Sequence, residues 1–237
     1  MRGRRYDGFF MILKTTTVTT KTTWEQRLST DTTFCRALVG CNYLTEEQMR
    51  RAAERYRLGR SRDGGVIFWQ IDLAGNTRDG KIMYYREDCH RDKTRNPSWV
   101  SSRMKAYYGY ESDLPVERCL FGLHILEGGG SPIAIVEAEK TAVIMSEVYP
   151  QYIWMAAGGL SMLTAEKLRP LSDRHVILFP DTDPDGKAFA HWQQIAKEAS
   201  RHTLFPVYVS PLLERQATPV QKAAKIDIVD YLFNPNP

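Results

Sequence analysis

The sequence predicts an α/β fold for residues 131–237 and a smaller, basic α+β subdomain for residues 31–130. After three consecutive glycines at 128–130, short apolar runs alternate with stretches rich in helix-forming residues. This alternation is typical of parallel strands whose connecting helices cover both faces of the sheet. Four such apolar runs predict a four-stranded parallel sheet, and residues 1–30 are expected to form a poorly defined tail.

The region before the glycines predicts one helix and one hairpin. Thr45 and Gln48 have the spacing of a capping box, so a helix is expected over 45–58. Two β-rich runs follow at 66–72 and 81–87, separated by the turn-forming segment AGNTRDG. Two such runs on either side of a turn predict an antiparallel hairpin.

The predicted strands and helices of the second half follow one another in alternation. The strands are expected at 133–137, 152–157, 175–180 and 205–209. The helices are expected at 138–148, 161–171 and 186–200, with a further helix near the C-terminus. No internal repeat is visible, which favours one sheet over a repeat array.

Composition excludes several classes of protein. Hydrophobic residues make up 43% of the 237 residues, which is enough to form a core without stabilising cross-links. The four cysteines include no Cys-x-x-Cys pair, so we expect neither zinc nor a disulfide framework. The apolar stretch 9–13 is too short to span a membrane. These observations predict a cytoplasmic protein with no membrane partner.

Charge is distributed unevenly along the chain. Residues 1–130 contain 22 Lys and Arg against 16 Asp and Glu, whereas residues 131–237 contain 10 against 12. A basic half beside an acidic half fits a surface that binds a phosphate backbone next to a metal site. The basic segment 88–118, in which aromatic residues are interleaved, fits a loop that touches nucleic acid. Both features fit a solvated surface equally well.

Acidic residues stand where two of the predicted strands end. Glu137 closes the first strand, and Asp181 and Asp183 follow the third. Because the carboxyl ends of parallel strands share one edge, these three side chains are expected to converge there as catalytic groups and metal ligands. Hard cations such as Mg²⁺ or Mn²⁺ prefer oxygen ligands and bridge to phosphates. Asp185 lies in the same loop and is a further candidate ligand.

Other interpretations fit parts of the segment DTDPDG. It is ordinary turn chemistry, and its start is similar to a calcium loop, although Trp192 occupies the twelfth position where a bidentate Glu is required. An Asp-x-Asp after a strand also occurs in haloacid-dehalogenase-type phosphatases and metal-dependent glycosyltransferases. In those phosphatases the motif usually lies on the first strand and a small hydroxylated residue follows, whereas here Pro184 follows.

The order IVEAEKTA, AAGG and ILFPDTDPDG resembles a Toprim domain over residues 131 to about 210. This module is shared by bacterial primases, phage primase-helicases, topoisomerases and some nucleases. The resemblance implies that Glu137, Asp181 and Asp183 hold divalent metal for phosphoryl transfer on nucleic acid. The sequence departs from the family at Ala138, where a Gly is common.

The flanking segments are similar to the primase branch of phages, plasmids and mobile elements. A β-rich basic region precedes the core, and the segment KIDIVDYL resembles a tail found in mobile-element primases, matching Lys225, Asp227 and Asp230. The resemblance implies single-stranded DNA and nucleoside triphosphates as ligands and a replicative helicase as a partner. It implies primer synthesis, with a nuclease or a non-catalytic nucleic-acid-binding module as alternatives.

Seven residues are candidates for contacts with phosphate. Lys140 and Lys187 are expected in the first turns of the helices that follow the acidic strand ends, where a helix N-terminus attracts anions. The other candidates are the turn residues Gly158 and Gly159 and the basic residues Lys81, Arg86 and Lys93 of the first half. A lysine in a solvated helix turn would give the same pattern.

Overall fold

The computed structural model describes residues 28–108, 117–126 and 128–234. Most of the predicted tail and part of the predicted 88–118 loop lie outside these residues. Within the described part of the chain, no helix is long and apolar enough to cross a membrane.

Two helices open the described chain. Helix α1 (Thr33–Gly40) begins after Thr32, whose hydroxyl accepts a hydrogen bond from the Cys35 backbone; the sequence had not predicted this helix. Helix α2 (Glu46–Arg55) begins with the predicted capping box between Thr45 and Gln48.

An antiparallel sheet follows, with strand order β1-β2-β3-β4. Its strands are β1 (Gly59–Arg60), β2 (Val66–Ile71), β3 (Thr77–Met83) and β4 (Ser98–Trp99). The predicted hairpin is confirmed, but its second strand begins earlier than the predicted position 81. The reason is Asp72, whose carboxylate accepts the backbone N–H groups of Ala74 and Asn76 and closes a shorter turn.

The predicted 88–118 loop is partly regular structure. It contains β4, which pairs with β3, and helix α3 (Val100–Tyr108). The interpretation of the whole segment as a loop is therefore wrong for these residues. The N-terminus of α3 is fixed because the Ser101 backbone N–H and hydroxyl both donate to the buried Asp79 carboxylate.

The second sheet is parallel, with strand order β6-β5-β7-β8, as the sequence predicts. Its strands are β5 (Ile133–Val136), β6 (Ile153–Ala156), β7 (Val176–Phe179) and β8 (Tyr208–Val209). Strand β8 is shorter than the predicted 205–209. Pro206 has no N–H to donate, and the Val207 N–H donates to the Ser200 hydroxyl, so neither residue adds a bond to the sheet.

Helices cover both faces of the parallel sheet, which confirms the predicted fold class. Helix α4 (Glu139–Val148) packs on one face, and α5 (Ala165–Leu168) and α6 (Lys187–Ala199) pack on the other. The predicted continuous helix over 161–171 is wrong. Thr164 is extended and caps α5, and short 3-10 segments lie on either side at Leu160–Met162 and Arg169–Leu171.

The C-terminal region contains three short helices where one was predicted. They are α7 (Leu212–Gln216), α8 (Pro219–Ala224) and α9 (Ile228–Phe233). Lys225 ends α8 in the left-handed conformation, with φ of 56°. Asp227 then caps α9, so the chain turns sharply between the two helices.

One hydrophobic core joins the two halves across the predicted boundary at 128–130. Tyr56 of the first half stacks on Phe121, with ring centroids 4.8 Å apart. Its hydroxyl donates to the Trp154 carbonyl of β6, at 2.8 Å. Phe121 also packs edge-on against Phe68 of β2, with ring centroids 5.4 Å apart, and pairs with Ala156 of β6, so it links the two sheets.

Candidate metal and nucleic-acid site

Glu137 and Asp181 lie side by side at the carboxyl edge of the parallel sheet. Strands β5 and β7 are adjacent, and Val136 pairs with Phe179, so the residues after them emerge together. The Asp181 backbone N–H donates to Glu137 Oε1 at 3.2 Å. Glu137 is buried, with 8% of its surface exposed. The structure thus brings these two residues together at the edge where the strand ends place them, and their role as metal ligands stays a prediction.

The start of α9 brings two more carboxylates to the same edge. The Thr182 N–H donates to the Ile226 carbonyl at 2.9 Å, which ties the loop after β7 to the residue before Asp227. Asp227 is buried, accepts the Asp230 N–H at 2.8 Å and accepts the Thr141 hydroxyl. Asp227 and Asp230 were not among the predicted ligands, although the tail motif KIDIVDYL had marked them.

These carboxylates repel one another. Burial raises the pKa of Asp181 well above its usual value, and the charges of Glu137, Asp227 and Asp230 raise it further. Burial, followed by the charges of Asp183 and Asp227, likewise raises the pKa of Glu137. The pKa of Asp230 is raised by burial and by the charge of Asp227. A bound cation would relieve this repulsion.

Lys140 partly offsets the negative charge. It is the second residue of α4, as predicted, but it is surrounded by acidic and aromatic groups. Burial lowers its pKa, yet the charges of Asp227 and Asp230 outweigh this and raise the pKa above its usual value. The charge of Lys140 therefore offsets that of the acidic cluster, and its predicted contact with phosphate stays a prediction.

Asp183 is held in a different way from Asp181. Its Oδ1 accepts the backbone N–H groups of Asp185 and Lys187 at 2.9 and 3.1 Å, and its Oδ2 accepts that of Ala188 at 2.6 Å. Burial raises its pKa, but these backbone hydrogen bonds hold the pKa below its usual value. Asp183 thus caps α6 as a carboxylate, and its charge acts on Glu137.

The predicted metal set is brought together only in part. Asp185 is exposed and pairs with Lys187, also exposed, at 2.6 Å. Among residues 28–108, 117–126 and 128–234, no three His, Cys, Asp or Glu side chains already form a group that could hold a metal ion. The donors present at the edge are carboxylate oxygens, which fit Mg²⁺ or Mn²⁺ and not a soft metal.

Lys81 bridges the two sheets. Its Nζ lies 3.1 Å from Glu139 Oε2 and donates to the Gly158 carbonyl at 2.7 Å. A Cβ on Gly158, where φ is 93°, would lie 3.3 Å from Glu139 Oε1, and φ at Gly159 is 145°. Both glycines are therefore required by backbone conformation, and Lys81 is engaged within the protein.

The other two basic candidates of the first half are exposed. Arg86 pairs with Asp88 at 2.6 Å, and Lys93 lies in an exposed turn. No contact in the described part of the chain joins either residue to the acidic edge. Their predicted role in binding the phosphate backbone stays a prediction.

Comparison with known proteins gives one family and several weakly similar folds. No curated protein matches the chain. The primase fragment of the bacteriophage T7 primase-helicase aligns at 19% identity and a TM-score of 0.46, over 78% of this chain and 66% of that one.

Two further solved structures are similar at the same level. One is a complex of the T7 lagging-strand DNA polymerase with primase domains bound to an RNA/DNA hybrid and dTTP, at 19% identity, a TM-score of 0.46 and coverage of 80% and 81%. The other is the Aquifex aeolicus primase, with its zinc-binding and RNA polymerase domains, at 13% identity, a TM-score of 0.44 and coverage of 78% and 58%.

The family model described as "Domain of unknown function (DUF6371)" matches residues 32–182, which is more than half of the chain. The chain therefore belongs to the DUF6371 family.

Proposed function

We propose that the chain is a metal-dependent phosphoryl-transfer enzyme that acts on nucleic acid, with primase-like synthesis of RNA primers on single-stranded DNA as its reaction. The observation that carries this proposal is the cluster of mutually repelling carboxylates at one sheet edge. Glu137, Asp181 and Asp227 come from three separate segments, and burial together with the charge of Asp227 raises the pKa of both Glu137 and Asp181. Such repulsion is costly unless a cation is bound.

The acidic edge supplies the ligands in this proposal. Glu137, Asp181 and Asp183 would hold Mg²⁺ or Mn²⁺, and Asp227 adds a fourth carboxylate from the start of α9. When bound, the metal neutralises phosphate charge and activates the attacking hydroxyl. Lys140 limits the repulsion while the site is empty, because its charge opposes that of Asp181, Asp227 and Asp230.

The substrate assignment comes from the motif order. A Glu at the end of β5, an Asp-x-Asp at the end of β7 and a Lys-containing acidic tail together resemble Toprim primases of phages and mobile elements. In this proposal the template is single-stranded DNA and the monomers are nucleoside triphosphates. A replicative helicase is the proposed partner, since the sequence contains no GxxxxGK[ST] loop of its own.

A single gel tests the proposal. The protein is incubated with single-stranded DNA, Mg²⁺ or Mn²⁺ and labelled ribonucleotides, and both extension and cleavage are scored. We expect labelled oligoribonucleotides from the wild type and none from Asp181→Asn. Asp185→Asn, in the same loop but paired with Lys187, is the matched control and should retain activity. Shortened DNA would identify a nuclease instead, and no product in either metal, with a helicase added, would refute the enzymatic proposal.

A further inference from the structure

A buried carboxylate of the antiparallel sheet holds one arginine in place. Asp79 on β3 is fully buried and accepts four hydrogen bonds. The donors are the Gly80 N–H at 2.8 Å, the Ser101 N–H at 3.1 Å, the Ser101 hydroxyl at 2.8 Å and Arg118 Nε at 3.0 Å. Because its neighbours are fixed by β3 and α3, Asp79 holds Arg118 at a defined position.

An aromatic ring fixes the plane of the same guanidinium group. The Arg118 Cζ lies 3.7 Å from the centroid of the Trp99 ring. The two terminal nitrogens of Arg118 have no hydrogen bond or ion pair within the part of the chain that the structure describes, and 28% of the side chain is exposed. An arginine oriented through Nε and its face presents its remaining edge for a bidentate contact.

This free edge lies among other cationic groups. Trp99 pairs with Lys81 across β3 and β4, so both side chains lie on one face of the sheet, beside the Gly158 turn. Lys167 of α5 donates to the Met162 carbonyl at 2.7 Å and lies within electrostatic range of Arg118 and Glu139. Two acidic groups lie nearby: Glu139 Oε2 pairs with Lys81, and Asp79 pairs with Arg118 Nε. Among the described residues, the buried Glu139 Oε1 has no hydrogen-bond partner.

We infer that Arg118, held in place by Asp79 and Trp99, forms with Lys167 a site that binds a phosphate group where the antiparallel sheet meets the Gly158 turn. A planar guanidinium edge matches two phosphate oxygens, and a lysine adds a point charge. The choice of phosphate as the anion rests on the proposed function. Arg118 also pairs with a carboxylate, Asp79, but through Nε alone. Lys81, Arg86 and Lys187 differ because each uses a terminal nitrogen to pair with a carboxylate of the protein.

The site is tested by calorimetric titration in EDTA, so that metal bound at the acidic edge does not contribute. The probes are inorganic pyrophosphate, ATP and a single-stranded oligonucleotide without terminal phosphates. We expect Arg118→Gln and Lys167→Gln each to weaken binding of at least one probe about tenfold. Arg169→Gln removes a cation that is exposed and paired with Glu166, and should leave the affinity unchanged.

The pattern of loss identifies the source of the phosphate. Loss for pyrophosphate and ATP alone indicates a free nucleotide, and loss for the oligonucleotide alone indicates the backbone; either supports the site. Binding of all probes that is no weaker in the two variants than in Arg169→Gln overturns it. If circular dichroism shows that Arg118→Gln does not fold, the titration of Lys167→Gln alone tests the site. Asp181→Asn should bind the probes normally in EDTA, which separates this site from the proposed catalysis.

Discussion

Carboxylates are paired with cations in one half of the molecule, and they repel one another in the other half. In the antiparallel sheet, Asp79 is matched by Arg118 and by three further donors. In the exposed turn between β1 and β2, Asp63 pairs with Arg95 at 2.9 Å and with Arg103 at 3.0 Å. Burial raises the pKa of Asp63, but its hydrogen bonds and the charge of Arg103 hold the pKa far below its usual value.

The edge of the parallel sheet shows the opposite arrangement. Glu137, Asp181 and Asp230 have raised pKa values, and Lys140 is the cation that offsets their charge. Paired carboxylates stabilise the fold by themselves. Unpaired carboxylates destabilise it until a cation is bound, which is typical of groups kept for function. On this difference we assign a structural role to Asp79 and Asp63 and propose a functional one for Glu137 and Asp181.

The largest effect on stability is expected when an acid that is paired within the protein is removed. Asp79→Ala leaves Arg118 and the start of α3 without their shared acceptor, so the free energy of unfolding should fall by about 3 kcal/mol. Urea denaturation followed by circular dichroism measures the loss. Asp185→Ala, an exposed acid, should change stability by less than about 0.5 kcal/mol. Equal effects of the two substitutions would contradict the structural role of Asp79.

Removal of an acid that is repelled by its neighbours should stabilise the protein instead. In EDTA, Asp181→Asn removes one of the repelling charges, so the free energy of unfolding should rise by about 1 kcal/mol. Asp63→Asn removes a charge that two arginines stabilise, so this substitution should lower the free energy of unfolding. The comparison uses thermal unfolding of both variants at pH 7.5. A destabilised Asp181→Asn protein would show that the acidic edge is not repulsive.

The stabilising effect of Asp181→Asn should depend on pH. Because the folded pKa of Asp181 is raised, the folded state binds a proton more tightly than the unfolded state, and the wild type loses stability as pH rises above about 4. The difference in unfolding free energy between Asp181→Asn and the wild type should therefore be near zero below pH 4 and grow toward pH 8. His124, whose burial lowers its pKa to about 4, titrates in both proteins and cancels in the difference. A difference that is constant with pH would contradict the raised pKa.

Much of the fold and half of the candidate site follow from local patterns. The end of β5 and the end of β7 predicted Glu137 and Asp181 at one edge, because parallel strands share their carboxyl ends. The part played by Asp227 depends on the long-range hydrogen bond from Thr182 to Ile226, which no local pattern reveals. The sequence shows the motif that contains Asp227, but it does not predict that Asp227 lies near Asp181.

The basic residues were harder to assign than the acidic ones. A lysine near a strand end looks the same in sequence whether it meets a ligand or an internal carboxylate. Lys81 pairs with Glu139, 58 positions away, and Lys140 lies within electrostatic range of Asp227, 87 positions away. Arg118 gave no signal in the sequence, because its orientation depends on Asp79 and Trp99 from two different strands.

Direct titration with Mn²⁺ tests the central claim that the acidic edge is a divalent-cation site. Free Mn²⁺ is followed by electron paramagnetic resonance while metal is added to the wild type, to Asp181→Asn and to the Asp185→Asn control at pH 7.5. We predict saturable binding by the wild type and by Asp185→Asn, and its loss in Asp181→Asn. Equal binding by all three proteins, or no saturable binding by the wild type, would contradict the account.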